Sequence, residues 1–283
     1  MTLPHRPFGP TGRDVPVIGL GTWKLERAER GRAVTAVRAA LDAGLVHVDT
    51  AELYGDGKVE SLLGEALAGR RDEAFLVSKV QPANASRKGT LRACEASLQR
   101  LRTDRLDCYL LHWPGPHPLR DTVAAFEELV ESGKIRSWGV SNFDASRVEE
   151  CVRIAGPGRV ACNQVLYHLG ERTIEHSVLP TCERHGVAVV GYTPFDSGGV
   201  PDPATPAGRT LAEVAARLGA TPRQVILAFL TRRPSLFAIP KTGDPGHARE
   251  NAGAARVVPG PDDLAALDQA FPLGRSRSGV ATL

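Results

Sequence analysis

Eight short apolar runs punctuate the 283-residue chain, and longer amphipathic stretches separate them. The runs are Val17–Leu20, Leu45–Thr50, Ala74–Val80, Leu106–His112, Ile135–Ser141, Val160–Tyr167, Val187–Pro194 and Leu236–Lys241. They are rich in Val, Ile and Leu and almost continuous, as expected of parallel strands covered on both faces. Between them the spacing predicts helices over Ala33–Ala43, Val59–Ala68, Lys88–Leu101, Leu119–Ser132, Ala145–Ile154 and Ser177–His185. Several stop at a glycine (Gly44, Gly69, Gly133, Gly186), the residue that best tolerates the left-handed turn after a helix. The seventh connection is longer, with a turn-rich loop at Asp196–Gly208 before helices at Thr210–Leu218 and Pro222–Thr231. Thr221 reads as the N-cap of the second, with Pro222 in its first turn. A last helix is expected over His247–Ala255.

Eight such units in one chain of this length fit a closed (β/α)8 TIM barrel, a single α/β domain over residues 1–283. The Gly12-Arg13 turn within Arg6–Pro16 marks an N-terminal hairpin, and the Gly/Ser/Arg-rich tail from Pro272 to Leu283 is expected to be mobile.

Composition removes several other classes. Net charge is +3 with no basic block, so nothing calls for nucleic acid. The five cysteines (Cys94, Cys108, Cys151, Cys162, Cys182) are odd in number and contain no CxxC pair. That argues against a disulfide framework or zinc site and for a reducing compartment. No signal-peptide core or membrane-length apolar run is visible, so a cytoplasmic protein is expected. Of 35 basic residues only six are Lys, which makes a Lys at a strand end more notable than a generic surface charge.

Barrel chemistry lies at the C-terminal strand ends. Gly21, Thr22 and Trp23 follow the first run, and Asp49, Thr50 and Tyr54 the second. Ser78-Lys79 closes the third, His112-Trp113 the fourth and Ser141-Asn142 the fifth. Gln164 lies on the sixth, Tyr192-Thr193-Pro194 end the seventh, and Lys241-Thr242 follow the eighth. Taken singly, each has an ordinary structural reading: a loop cap, a packing aromatic, a solvated Lys, a bonded structural His. Convergence on one barrel mouth weakens those readings. A phenol with pKa ~10 is a poor acid near neutrality. Lys79 can stabilise the phenolate of Tyr54 and lower that pKa, Asp49 can hold Lys79 charged, and His112 can donate to a carbonyl oxygen. No metal-ligand spacing accompanies the set.

These stretches resemble the aldo-keto reductase family. The matching motifs are Gly19-Leu20-Gly21-Thr22-Trp23, His47-Val48-Asp49-Thr50-Ala51-Glu52-Leu53-Tyr54-Gly55, Leu76-Val77-Ser78-Lys79-Val80, Tyr109-Leu110-Leu111-His112-Trp113-Pro114, Gly133 through Phe143, Asn163-Gln164-Val165 and Ile239-Pro240-Lys241-Thr242. Seven motifs in the right order make the resemblance specific. It implies NADPH-dependent reduction of aldehydes and ketones, with Tyr54 as proton donor, Lys79 and Asp49 tuning it, and His112 orienting the carbonyl. It further implies a nicotinamide held by Ser141, Asn142 and Gln164 and stacked on Tyr192, with Gly21, Thr22, Asp49, Thr193 and Pro194 also at the cofactor. Trp23 and Trp113 would line the substrate pocket with Tyr54 and His112. Lys241 and Thr242 would meet the adenosine 2′-phosphate, and Glu250 and Asn251 the adenine. The Gly19-Leu20-Gly21 start lacks the third glycine of a Rossmann fingerprint, because Lys24 stands there.

Two departures matter. Many members carry Arg six residues after the Lys of the last motif, where this chain has His247. A neutral His holds phosphate less firmly than a bidentate Arg, so a modest preference for NADPH over usable NADH is expected, strengthening at lower pH as His247 charges. The tail is short, so an open pocket bounded by Phe143, Leu166–Gly170 and Asp196–Gly208 is expected. The loop Gln81–Ser86 and the strand to Trp113 look most like compact bacterial members acting on small aldehydes and α-dicarbonyls such as methylglyoxal. A monomer is expected. Two other readings stand beside this one: a non-catalytic NADPH-binding redox-sensor subunit, and a Schiff-base aldolase using Lys79 as nucleophile.

Overall fold

A computed structural model of the chain describes residues 3–196 and 199–283. Its centre is an eight-stranded parallel sheet, all eight from the apolar runs: β3 (Leu20–Gly21), β4 (His47–Asp49), β5 (Phe75–Val80), β6 (Cys108–Leu111), β7 (Trp138–Ser141), β8 (Val160–Leu166), β9 (Ala188–Tyr192) and β10 (Leu236–Ile239). They stand in chain order. The sheet closes on itself where Gly19 N donates to Ala238 O at 2.8 Å and Gly21 N to Pro240 O at 3.1 Å. This is the (β/α)8 barrel. Every residue of β5, β6, β7 and β8 is buried, which is why those runs show no polar alternation.

A two-stranded hairpin, β1 (His5–Pro7) with β2 (Asp14–Pro16), precedes the barrel as expected. Its turn delivers Phe8 into the bottom of the barrel, within 5.4 Å of the rings of His47, Phe75 and Phe237. Gly9 follows at φ +54, and a Cβ there would lie 2.1 Å from Ala161 O, so only glycine allows this plug. With one end stoppered, the open end is the one reached by the C-terminal strand ends.

The outer helices are α1 (Arg30–Asp42), α2 (Lys58–Ala66), α3 (Arg87–Leu101), α4 (Leu119–Glu131), α5 (Ala145–Ala155), α6 (Val178–Arg184), α7 (Pro206–Arg217), α8 (Pro222–Leu230), α9 (Pro245–Gly253) and α10 (Pro261–Ala270). Three start earlier than apolar periodicity suggests, because a capping side chain acts upstream of the first apolar residue. Glu29 accepts from Gly31 N and Arg32 N, Thr205 from Gly208 N, and Asp244 from Gly246 N and His247 N. Thr221 caps α8 as expected, in a reciprocal box with Gln224.

Helix α10 was not anticipated. Its stretch has a weak apolar stripe, and ion pairs hold it instead: Arg172 donates to Asp268 Oδ1 at 2.6 Å and Arg217 to Asp263 Oδ1 at 2.7 Å. The chain beyond it bonds to the barrel body at two points. Arg172 Nη1 donates to Phe271 O at 2.6 Å and Arg277 Nη2 to Glu171 Oε2 at 2.6 Å. Part of the expected Asp196–Gly208 loop, Ser197 and Gly198, lies outside the described residues. All five cysteines are buried and unpaired. Among the described residues no helix is long and apolar enough to cross a membrane.

Candidate active site

Strand register sets the site. Gly21 pairs with Asp49, Asp49 with Val77, and Ser141 with Gln164, which in turn pairs with Val190. Asp49 and Lys79 thus point into the upper barrel from neighbouring strands. Lys79 Nζ lies 2.6 Å from Asp49 Oδ2, with both side chains essentially excluded from solvent. The ammonium also donates to Thr50 O at 2.8 Å and to the Tyr54 hydroxyl at 3.3 Å. The second Asp49 oxygen accepts from Gln164 Nε2 at 2.7 Å. Its backbone carbonyl accepts from Thr22 Oγ1 at 2.7 Å. The ring of His112 stands edge-on to that of Tyr54, centroids 5.8 Å apart, and packs on Trp113 at 4.7 Å. The four residues singled out for chemistry therefore meet at one barrel mouth.

The electrostatics follow from burial. Burial alone would lower the Lys79 pKa, but Asp49 and then Tyr54 hold it above the ordinary lysine value, so the ammonium keeps its proton. Burial raises the Asp49 carboxyl, opposed by Lys79 and Gln164. His112 is pushed down to about 2, first by burial and then by the Lys79 charge, and is a neutral imidazole near neutrality. The expectation that Lys79 lowers the Tyr54 pKa holds for that contact alone. Burial outweighs it, with Asp49 adding to the rise, so the phenol lies above its usual value and is fully protonated.

A cavity of about 1080 Å³ opens over this cluster. Trp23, Tyr54, His112 and Trp113 line it, as do Gly21, Thr22, Asp49, Ser141, Asn142, Gln164, Tyr192, Thr193, Pro194 and Lys241. Asn142 sits at φ +60 and bridges the floor: its amide donates to His112 O at 3.0 Å and Ser141 Oγ at 3.2 Å, while Tyr192 OH donates to its Oδ1 at 2.9 Å. A second cavity of about 390 Å³ holds Lys241, Thr242, His247 and Asn251. Glu250 lines neither cavity. Its carboxylate accepts from Thr221 Oγ1 at 2.8 Å, on the far side of the helix turn.

Of the expected pocket walls, the Asp196–Gly208 loop contributes Asp196 and Gly199 to the larger cavity. Phe143, Leu166, Tyr167 and Leu169, expected beside it, are buried instead. The tail takes their place, through Gly279, Val280, Thr282 and Leu283 at the larger cavity. Two basic residues were also missed, Arg32 and Arg223, both at the second cavity. Arg32 pairs with Asp244 at 3.2 Å. Each lies in the first turn of a helix, where a cation opposes the macrodipole, and that anomaly is readable in a sequence.

A buried Lys–Asp pair thus touches a phenol at the open end of a closed barrel. The chain belongs to the aldo/keto reductase family, whose model matches residues 17–271. It is 41% identical over 268 residues to methylglyoxal reductase YeaE of Escherichia coli (strain K12), covering 94% of each chain. It is 31% identical to glyoxal reductase of Bacillus subtilis (strain 168), over 91% of this chain and 89% of that one. An aldo-keto reductase from Klebsiella pneumoniae, solved in complex with NADPH, superposes over 100% of both chains with TM-score 0.92 and 41% identity.

Proposed function

We propose that this chain reduces small aldehydes and α-dicarbonyls, such as methylglyoxal, to alcohols with NADPH, and that Tyr54 supplies the proton. The observation carrying this reading is the Lys79 ammonium, held 2.6 Å from Asp49 and 3.3 Å from the Tyr54 hydroxyl.

The residues suit the cofactor. Asn251 is buried with its Oδ1 unpartnered at the second cavity, an acceptor suited to an adenine amino group. Lys241, Thr242, His247 and the Arg32 guanidinium there suit a 2′-phosphate. Ser141, Asn142 and Gln164 would hold the nicotinamide carboxamide, and Tyr192 would stack on the ring. When bound, NADPH supplies the hydride.

The protein's own groups do the rest. His112, neutral, donates a hydrogen bond to the carbonyl oxygen and orients it. Tyr54 passes its proton to that oxygen as negative charge develops there. Its phenolate is then stabilised by the adjacent Lys79, whose charge Asp49 maintains. Trp23, Leu53 and Trp113, all exposed, form an apolar rim that suits small carbonyls entering beside polar groups.

The test is consumption of NADPH, and separately NADH, with methylglyoxal, glyoxal and simple aldehydes, by wild type and Tyr54→Phe. Loss of a general acid is expected to lower kcat about 10²- to 10⁴-fold with NADPH binding retained. Equal activity of the two proteins would sink the mechanism. The same assay decides against a sensor subunit if turnover is seen, and against Schiff-base chemistry if turnover requires NADPH.

A further inference from the structure

Arg223 and Lys241 line both cavities, and they are the residues the two cavities share. The catalytic groove therefore meets the second cavity at a pair of cations. Arg223 is the second residue of α8, two residues after the Thr221 cap. Its guanidinium lies 4.3 Å from the centroid of Phe195, on the loop leaving β9. That ring contact is its one specific interaction among the described residues: no ion pair or side-chain hydrogen bond is made.

The surroundings make this unusual. Nearby Arg32 is paired with Asp244. The two carboxylates that line the second cavity are committed to helix caps, Glu29 to α1 and Asp244 to α9. An unpaired guanidinium in a first helical turn also works against the helix dipole. Its N–H fork is thus pre-positioned by Phe195 and free to take an anion.

We infer that Arg223 clamps the diphosphate of the dinucleotide at the junction of the two cavities. The inference rests on the groove reading above. With the nicotinamide over Tyr192 and the 2′-phosphate at Lys241–Thr242, the diphosphate must cross the strip between them, and of the two cations that line both cavities Arg223 is the one not already placed at the 2′-phosphate. The diphosphate is common to both nicotinamide cofactors. Arg223 therefore tightens NADPH and NADH alike, and Lys241 separates them.

Titration of the apo protein with NADPH and with NADH, followed by tryptophan fluorescence, tests this. Arg223→Gln should weaken both cofactors by a similar factor, about tenfold or more, as expected for loss of a charge-assisted fork on phosphate. Arg223→Lys, which keeps the charge, should recover part of each affinity. Lys241→Ala should weaken NADPH far more than NADH. Unchanged dissociation constants in Arg223→Gln overturn the inference, as does a loss confined to NADPH, which would move the contact to the 2′-phosphate. If Lys241→Ala also leaves both cofactors unaffected, the groove reading falls and the inference with it. Should Arg223→Gln melt early, the folded Arg223→Lys carries the comparison: a partial loss shared by both cofactors supports the clamp, and wild-type affinity for both, or a loss for NADPH alone, refutes it.

Discussion

Acidification from pH 8 to pH 5 should remove about 4 kcal/mol of stability, because two imidazoles are buried where they cannot accept a proton. His47 is fully enclosed at the barrel bottom beside Phe8 and Phe75, with neither ring nitrogen partnered. Burial, and then the Lys79 charge, lowers its pKa to about 3. The same causes take His112 to about 2. In the unfolded chain both titrate near 6.5. Below that pH the unfolded chain binds two protons that the folded chain refuses, so stability present above pH 6.5 is lost as pH falls toward 3. Each group contributes about 1.4 kcal/mol per pH unit over that window, or about 2 kcal/mol by pH 5. Spread over an unfolding entropy of about 2.1 cal/mol/K per residue, the pair lowers the melting temperature by about 7 °C. His168 is also lowered by burial and acts in the same direction. The assay is the urea midpoint and thermal melt of wild type and His47→Leu at several pH values between 8 and 5. The variant should lose about half the slope. A flat wild-type profile, or a slope that His47→Leu leaves intact, refutes the reasoning.

Lys79→Met strands the buried Asp49 carboxylate and should cost about 3–5 kcal/mol in denaturant titration, with activity lost. The double variant Lys79→Met/Asp49→Asn should recover most of that stability and none of the activity; failure to recover would show the pair is not the source of the cost. Removing residues 279–283 leaves the anchors at Phe271 and Arg277 in place, so the melting temperature should hold while KM for apolar aldehydes rises about tenfold, ~1.4 kcal/mol of lost apolar contact. An unchanged KM would mean that the tail is only a neighbour of the cavity.

The barrel was legible because parallel strands buried on both faces write continuous apolar runs, and the Asp49, Tyr54, Lys79 and His112 cluster because strand ends are countable along those runs. What was not legible depends on contacts between distant segments. Helix α10 is held by Arg172 and Arg217 from elsewhere in the chain, so its own sequence carries a weak signal. The Gly and Ser content of the tail gives no hint of the bonds that Arg172 and Glu171 make at Phe271 and Arg277. Glu250 lies one residue from Asn251, yet faces Thr221 while Asn251 faces the cavity, a difference that a helical turn creates and a linear motif hides. Arg32 and Arg223 left a trace, as cations in first helical turns, that periodicity alone does not weigh.

Burial also decides how the cluster divides its labour. Lys79 is the one charge driven into the barrel mouth that the surroundings actively keep, and its field reaches three neighbours at once. It lowers His112, it lowers His47, and it offsets part of the rise that burial gives Tyr54. The imidazole is thereby fixed as a neutral donor and the phenol as a protonated one, so across ordinary pH neither group changes state before substrate arrives. On the proposed mechanism, acidity at Tyr54 comes from the reaction itself. In the proposed reduction the phenol would release its proton as an oxyanion forms beside it, and the Lys79 ammonium 3.3 Å away would stabilise the resulting phenolate against the cost of its burial. A hydrophobic pair of the same volume would stabilise the barrel at least as well. The ion pair is therefore better explained by what it does to Tyr54 than by what it adds to the fold.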